Sequence, residues 1–419
     1  MSPVRPRVTV VGERLDPAHF EVRDLLTRSA QPFEWVDAGS EAAVSLLDAR
    51  DLGSAPLPIL LDGDEVLTGA TAETIATAWN LNPPPARSEY DLAIIGAGPA
   101  GLAAAVYAAS DGLSTLVLER ELPGGQAGHT SLIENFFGFP EGIGGAELAR
   151  LAGRQAERFG AELLIMRGLD TGITEDDGRF RLQTAGGYQV LADSVIAAPG
   201  MDWRRLDVEG LDELIGRGVY YGAGRSEAAG CADTDVVVVG AGNSAGQAVT
   251  HLADAGARVR LLVRGDDLGR SMSDYLVRRI QARPEIEVKL ETEVDAVEAD
   301  DGVLSAVIDR RDGAVERIPA ELLFICIGGR PRTEWAEADG IQLDGKGFVC
   351  TGPDLLRDGA RPEGWPLDRD PLPLEMSVPG LFAAGDVRSG STKRVAGAVG
   401  EGSMAVALVH RRLAERAAR

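Results

Sequence analysis

The sequence predicts an α/β protein of two three-layer modules with parallel sheets, preceded by a smaller α/β block. Three observations predict it. An apolar strand running into a glycine-rich turn and then a helix occurs twice, within residues 90–110 and 235–255. A further strand-to-helix turn lies near the C-terminus, within residues 381–396. Ahead of these, residues 7–81 alternate short strands and helices. Alternating strand, turn and helix marks βαβ units and parallel sheets.

Taken in order, RVTVVGE reads as a strand and DPAHFEVRDLLTRSA as a helix capped by Asp16. FEWVDA reads as a second strand, EAAVSLLDARD as a helix, and PLPILLDGDEVLTG as a hairpin turning at Asp62-Gly63-Asp64. TAETIATAWNL closes the block as a helix, with Thr71 at its N-cap and Glu73 in its first turn. Residues 82–89, NPPPARSE, favour an extended polyproline path and read as a linker. The expected domains are therefore 1–81, then a body at 90–202 and 332–419 into which 203–331 is inserted.

The body opens on YDLAIIGAGPAGLAAAVYAAS. Its continuous apolar strand suits a parallel strand buried on both faces. Gly96, Gly98 and Gly101 complete the Rossmann-like pattern G-x-G-x-x-G. The first permits a tight turn, the second lets backbone approach a pyrophosphate, and the third packs helix on strand. Helix N-terminal amides then face the phosphates. Glu119 ends the next strand, where a carboxylate accepts from ribose hydroxyls. The second pattern, DVVVVGAGNSAGQAVTHL, places Gly240, Gly242 and Ala245 in the same three roles, with Asn243 and Ser244 between. Its following strand ends in Arg264, with Arg270 close behind. Arginine there binds a 2′-phosphate that a carboxylate would repel, which favours NADPH over NADH. Asp266 and Asp267 lie nearby, and a solvated loop is the alternative reading of Arg264.

Composition narrows the rest. Asp and Glu number 65 against 42 Lys and Arg, so the surface repels phosphate backbones and no nucleic-acid partner is expected. The apolar runs fall short of the ~20 residues that cross a bilayer, so no membrane partner is expected. The N-terminus does not read as a secretory signal, and a cytoplasmic location is the default expectation. Cys231, Cys326 and Cys350 are too few and too scattered for a disulfide framework or a zinc site, and no metal is expected.

With these motifs in order, the chain from residue 90 onward resembles the low-molecular-weight thioredoxin reductase family of flavin disulfide oxidoreductases. The resemblance extends to Gly124-Gly125-Gln126 and to Ile133-Glu134-Asn135, which match the family's flavin-contacting segment. It implies FAD on the first fingerprint, with Gly125, Gln126, Asn135, Gly385 and Asp386 around it. Asp386 is placed to bond a ribityl hydroxyl, and the backbone through Arg394, Val395 and Ala396 to donate to the flavin ring. It also implies a discontinuous FAD domain, an inserted NADPH domain, a homodimer, and domain rotation. The first block is similar to the thioredoxin or glutaredoxin fold, with Pro58 where that fold keeps a cis-proline.

Both resemblances break at the same chemistry. Where the family places Cys-x-x-Cys after Gly-Val-x-Tyr, this chain continues from Tyr221 with Gly222-Ala223-Gly224-Arg225. The N-terminal block holds no cysteine. The sequence is therefore most similar to a thiol-free branch of the family. The expected function is an NADPH-oxidising flavoenzyme with a non-disulfide electron acceptor. Gly222 and Gly224 would open space beside the flavin, and Arg225 would hold an anionic acceptor or stabilise reduced flavin. A relic loop closing over the flavin is the alternative there. His129 is a candidate proton relay, while Tyr220 and Tyr221 read as packing residues. Two other readings stay open: a ferredoxin or flavodoxin NADP reductase, and a nucleotide-sensing protein whose redox-inactive N-terminal module docks a partner.

Overall fold

A computed structural model describes the backbone of residues 6–418 apart from 223, 224, 229 and 339. Side chains are described for the same residues apart from Thr171, Asp176, Arg225, Ser226, Glu337 and Ala338.

The chain begins with β1 (Val8–Gly12), α1 (Pro17–Arg28), β2 (Phe33–Asp37), α2 (Glu41–Asp48), β3 (Ile59–Asp62), β4 (Glu65–Leu67) and α3 (Ala72–Ala78). These strands form a mixed sheet ordered β2-β1-β3-β4, with β1 parallel to β2 and antiparallel to β3. Local chemistry sets the ends of these elements. The Asp16 carboxylate accepts from the amides of Ala18 and His19, and Thr71 forms a capping box with Thr74. Gly63 turns the hairpin at φ +62°. The Leu57–Pro58 bond is cis.

A seven-stranded sheet follows, built around β5 (Glu89–Ile95), which lies between β6 (Thr115–Leu118) and the strand Gln189–Ala197. Leu381–Ala383, from the far end of the chain, pairs in parallel with Gln189–Ala197. Between β5 and β6 runs α4 (Pro99–Ser110), covered by the long C-terminal helix Val395–Ala417. Alanine and glycine let these helices approach closely: a Cβ at Gly402 would lie 2.1 Å from the Ala100 carbonyl oxygen. The intervening chain forms a five-stranded, all-parallel sheet centred on Asp235–Val239, flanked by a three-stranded antiparallel layer. It leaves and rejoins the seven-stranded unit through one antiparallel ribbon, Met201–Trp203 against Gly329–Pro331.

The N-terminal sheet packs on both other units. Leu122 and Ile165 of the seven-stranded unit join the core formed by Val8, Val10, Leu26, Leu60 and Ile75. On the other side, α1 presents Phe20 to Tyr220, with ring centroids 4.9 Å apart, and Tyr220 stacks in turn on Phe324. Beside this stack, Arg23 meets Glu227 at 2.8 Å, the two side chains being 3% and 1% exposed. Arg14 donates to the Glu227 carbonyl at 3.0 Å, and Arg28 pairs with Glu121 at 2.9 Å. A buried pair broken on one side leaves an uncompensated charge. Glu227→Ala is expected to lower stability by about 3–5 kcal/mol. Urea denaturation checks this, and an unchanged midpoint would contradict the assigned contact.

Candidate functional site

The first glycine turn is shaped by close backbone contacts. β5 ends at Ile95, and Gly96 turns the chain at φ +97°; a Cβ there would lie 2.3 Å from the Ala198 carbonyl oxygen. Gly101 presses α4 onto the turn so tightly that a Cβ would sit 1.8 Å from the Gly96 oxygen. At Gly98, by contrast, a Cβ would meet nothing within 4 Å. That open space at a helix N-terminus is where a diphosphate would approach the backbone. Glu119 lies just beyond β6, 6% exposed, and accepts the amides of Ala97 at 2.6 Å and Glu121 at 2.8 Å. Burial pushes its carboxyl upward despite these two bonds.

The residues expected around a flavin converge on the same turn. The Gly124 amide donates to the Ala97 carbonyl, and the next residue, Gly125, begins the short helix Gly125–Gly128. The Gln126 side chain donates to the Met201 carbonyl at 3.0 Å. From the C-terminal segment, the Gly385 amide donates to Glu401 at 2.7 Å. Asp386 is held close by, its carboxyl pushed upward by burial. Arg394 is the N-cap residue of the helix that begins at Val395.

The second turn repeats the arrangement. A Cβ at Gly240 would lie 2.3 Å from the Cys326 carbonyl oxygen, whereas one at Gly242 would meet nothing within 4 Å. Ala245 is fully buried and packs the helix Asn243–Asp254 on its sheet. The Asn243 side chain accepts from the Ser273 amide at 2.7 Å.

The first turn and the start of the helix after the second, at Asn243 and Ser244, open on one cleft of about 650 Å³. Its wall includes Gly96, Gly98, Glu119, Gly125, Gln126, Asn135, Gly385, Asp386, Arg394 and Val395 from the first site and Asn243 and Ser244 from the second. Arg279 holds the two sides together by pairing with Glu134 at 2.8 Å, and Arg394 reaches Ser273 at 3.3 Å. Of the other expected residues, Gly101, Gly240 and Ala245 act by packing, and Ala396 is exposed at the helix start. Arg264 and Arg270 stand in solvent, 83% and 71% exposed, facing Glu293 at 3.9 Å and Asp266 at 3.1 Å.

One expectation is corrected. Gly222 opens no space: it is buried at φ +97°, and a Cβ there would lie 3.1 Å from the Trp203 indole, which fills the gap. Gly224 and the Arg225 side chain lie outside the described residues. The cleft wall instead gains Phe20, Asp24, Arg28, Trp203 and Tyr221, none of them expected from a motif. For Trp203 the only sequence signal is its place at the start of the inserted stretch. Tyr220 is buried and packed between Phe20 and Phe324, and both Tyr220 and Tyr221 border the cleft.

All three cysteines are free. Burial pushes the Cys231 thiol up to about 11 and the Cys326 thiol up to about 12. Neither is an available thiolate near neutral pH.

Two glycine-turn dinucleotide cradles on one cleft define a two-nucleotide oxidoreductase. Residues 90–402 match the family model described as pyridine nucleotide-disulphide oxidoreductase, and the chain belongs to that family. It is 34% identical over 318 residues to the thioredoxin reductase of Bacillus subtilis, spanning 75% of this chain and 92% of that one. Its fold matches the Lactococcus lactis thioredoxin reductase in the FR conformation with a TM-score of 0.68 at 29% identity, covering 78% and 99% of the two chains. A T. acidophilum thioredoxin reductase matches with the same score at 27% identity, over 78% of this chain and 99% of its own. The protein is thus an FAD-dependent NAD(P)H oxidoreductase, with FAD and NADPH as its cofactors. The open cradles at Gly98 and Gly242 fit such groups.

Gly98→Ala is expected to fold, since the new methyl meets no protein atom, but to intrude on the cradle. Flavin affinity should fall about tenfold, a cost near 1.4 kcal/mol. The flavin-to-protein ratio after dialysis checks this, with unchanged circular dichroism as the control for folding.

Proposed function

We propose that this enzyme oxidises NADPH and delivers the electrons to an acceptor that is not a disulfide. The observation that carries the reading is a juxtaposition. Two nucleotide cradles share one cleft, while the positions of the family's cysteine pair hold Gly222 and Arg225. The family's description names a disulphide, but this chain has no thiol pair at that place.

In this reading the first cradle, with Glu119 on the ribose and Asp386 on the ribityl chain, holds FAD. The second holds NADPH through Gly242, Asn243 and Ser244, with Arg264 and Arg270 swinging from their exposed carboxylate partners to the 2′-phosphate. When bound, FAD supplies two-electron acceptance from the nicotinamide. The protein's part is alignment: Arg279–Glu134 and Arg394–Ser273 tie the two sides of the cleft so that both ligands meet in it.

The same reading assigns residues 1–81 as a thioredoxin-like module, a division the strand order β2-β1-β3-β4 supports. The remaining domains are those expected from the sequence, and the enzyme works as a homodimer in the cytoplasm. The module has no thiol, so its role is to dock. Its α1 lies against the helix Arg225–Ala228, where the reductase thiols would stand in the family.

Stopped-flow mixing of the holoprotein with NADPH tests the central step. Rapid loss of the visible flavin band and its return with a quinone or oxygen are expected; a flavin that stays oxidised rejects the reading. Replacing all three cysteines by serine is expected to leave NADPH oxidation intact, and lost activity would restore a disulfide mechanism. Alkylation of Cys231 should be slow near neutral pH and accelerate only as pH rises toward about 11, where the thiolate forms. The double variant Arg264→Ala, Arg270→Ala should cut the NADPH over NADH preference about tenfold or more, measured as a ratio of kcat/KM.

A further inference from the structure

We infer that the seam between the N-terminal module and the cleft is a binding site for a neutral, planar, quinone-class compound, walled by Phe20, Trp203 and Tyr221, with His129 as its hydrogen-bond donor. The inference rests on the non-disulfide reading above and names the acceptor's class and place. Beside the residues of both nucleotide motifs, the cleft is lined by Phe20, Asp24, His129, Trp203 and Tyr221. Two of these come from the module, one from the body and two from the inserted stretch, so the site is incomplete without the module.

The walls are flat and aromatic. His129 is the C-cap residue of the helix Gly125–Gly128, and its ring meets Trp203 edge-on, with centroids 5.8 Å apart at 77°. Aromatic faces prefer offset or edge contacts with another ring, and a planar ligand offers one. The polar groups specify what that ring carries. His129 Nδ1 stands 3.9 Å from the Asp24 carboxylate, and the other charged groups facing it are Arg28 and Glu121. Burial and the Arg28 charge depress its titration, outweighing Asp24 and Glu121. A neutral imidazole has one N–H to give, which suits a carbonyl oxygen.

An anionic ligand is disfavoured at His129 because the guanidinium facing it is already committed: Arg28 pairs with Asp24 at 3.5 Å and with Glu121 at 2.9 Å. Arg205 lies 5.1 Å over the Tyr221 ring. A ring bearing carbonyls, without charge or sulfur, fits what remains. The overall reaction balances as NADPH, a proton and quinone giving NADP⁺ and hydroquinone: two electrons and one hydrogen come from the nicotinamide, and the second proton from solvent.

Titrating the oxidised holoprotein with menadione, without NADPH, tests the site by tryptophan fluorescence and calorimetry. Saturable binding is expected, weakened about tenfold by Trp203→Leu through lost ring contact. His129→Leu should weaken it by a similar factor, and His129→Gln, which keeps an N–H donor, should restore it. Absence of saturable binding, or an affinity in both leucine variants unchanged from that of the parent protein, overturns the site. Because this titration needs no reduction, its failure is separable from that of the parent reading: bleaching of the same preparation by NADPH reports on the latter alone.

Discussion

The arrangement of the molecule depends on one short crossing. The chain leaves the seven-stranded sheet at Met201–Trp203 and returns at Gly329–Pro331, so the five-stranded unit is joined to it through one antiparallel ribbon. Packing there is too tight for any side chain at position 329, where a Cβ would lie 2.5 Å from the Asp202 carbonyl oxygen. Asp202 is then gripped by Arg120 and Arg332, and Arg332 also reaches Glu121. Burial raises the cost of the Glu121 charge, yet Arg28 and Arg332 hold its carboxyl at about 2. Since Arg28 belongs to α1, the N-terminal sheet is wired into the same network that sets the crossing. Clusters of this kind contribute more to geometry than to net stability, because each ion carries a desolvation cost.

That network also resolves an apparent conflict of charge. The protein carries a net charge of −23, which opposes the approach of any dinucleotide. The cleft, however, is lined by Arg28, Arg120, Arg330, Arg332, Lys393 and Arg394 among the described residues. Several are paired, so they shape the wall more than they charge it; Lys393, beside Asp386 and over the Phe348 ring, has its titration lowered by burial. Local lining therefore governs nucleotide entry, while the outer charge governs solubility.

What was legible in the sequence was local. Strand, glycine turn and helix are encoded within a few residues, so Gly96, Gly98, Gly240 and Gly242 could be placed without any tertiary information. Asp16 and Thr71 declared their helices for the same reason: a cap is a contact spanning three residues or fewer. The failures are all long-range. The space expected at Gly222 is filled by Trp203, nineteen positions earlier in the chain. Arg23 is buried only against a partner, Glu227, that arrives from the inserted unit. No periodicity reports such a pairing, since burial of a charge is decided by a surface that the helix does not itself contain.

The seam between module and body closes around a buried thiol, Cys231, whose Sγ donates to the same Glu227 carbonyl that Arg14 meets. A dithiol relay requires two sulfur pairs to meet, exchange and separate, so the surfaces that carry them must dock weakly and repeatedly. Here the facing positions carry Arg14 and Arg23 on one side and Glu227 on the other, with Phe20 inserted against Tyr220. Opening the seam would return both charges to water, so the pair sets register more than strength; the Phe20–Tyr220 contact and the shared apolar core hold the surfaces together. The residues at the edge of the closed seam, Phe20, Asp24 and Arg28, thereby become part of the cleft wall.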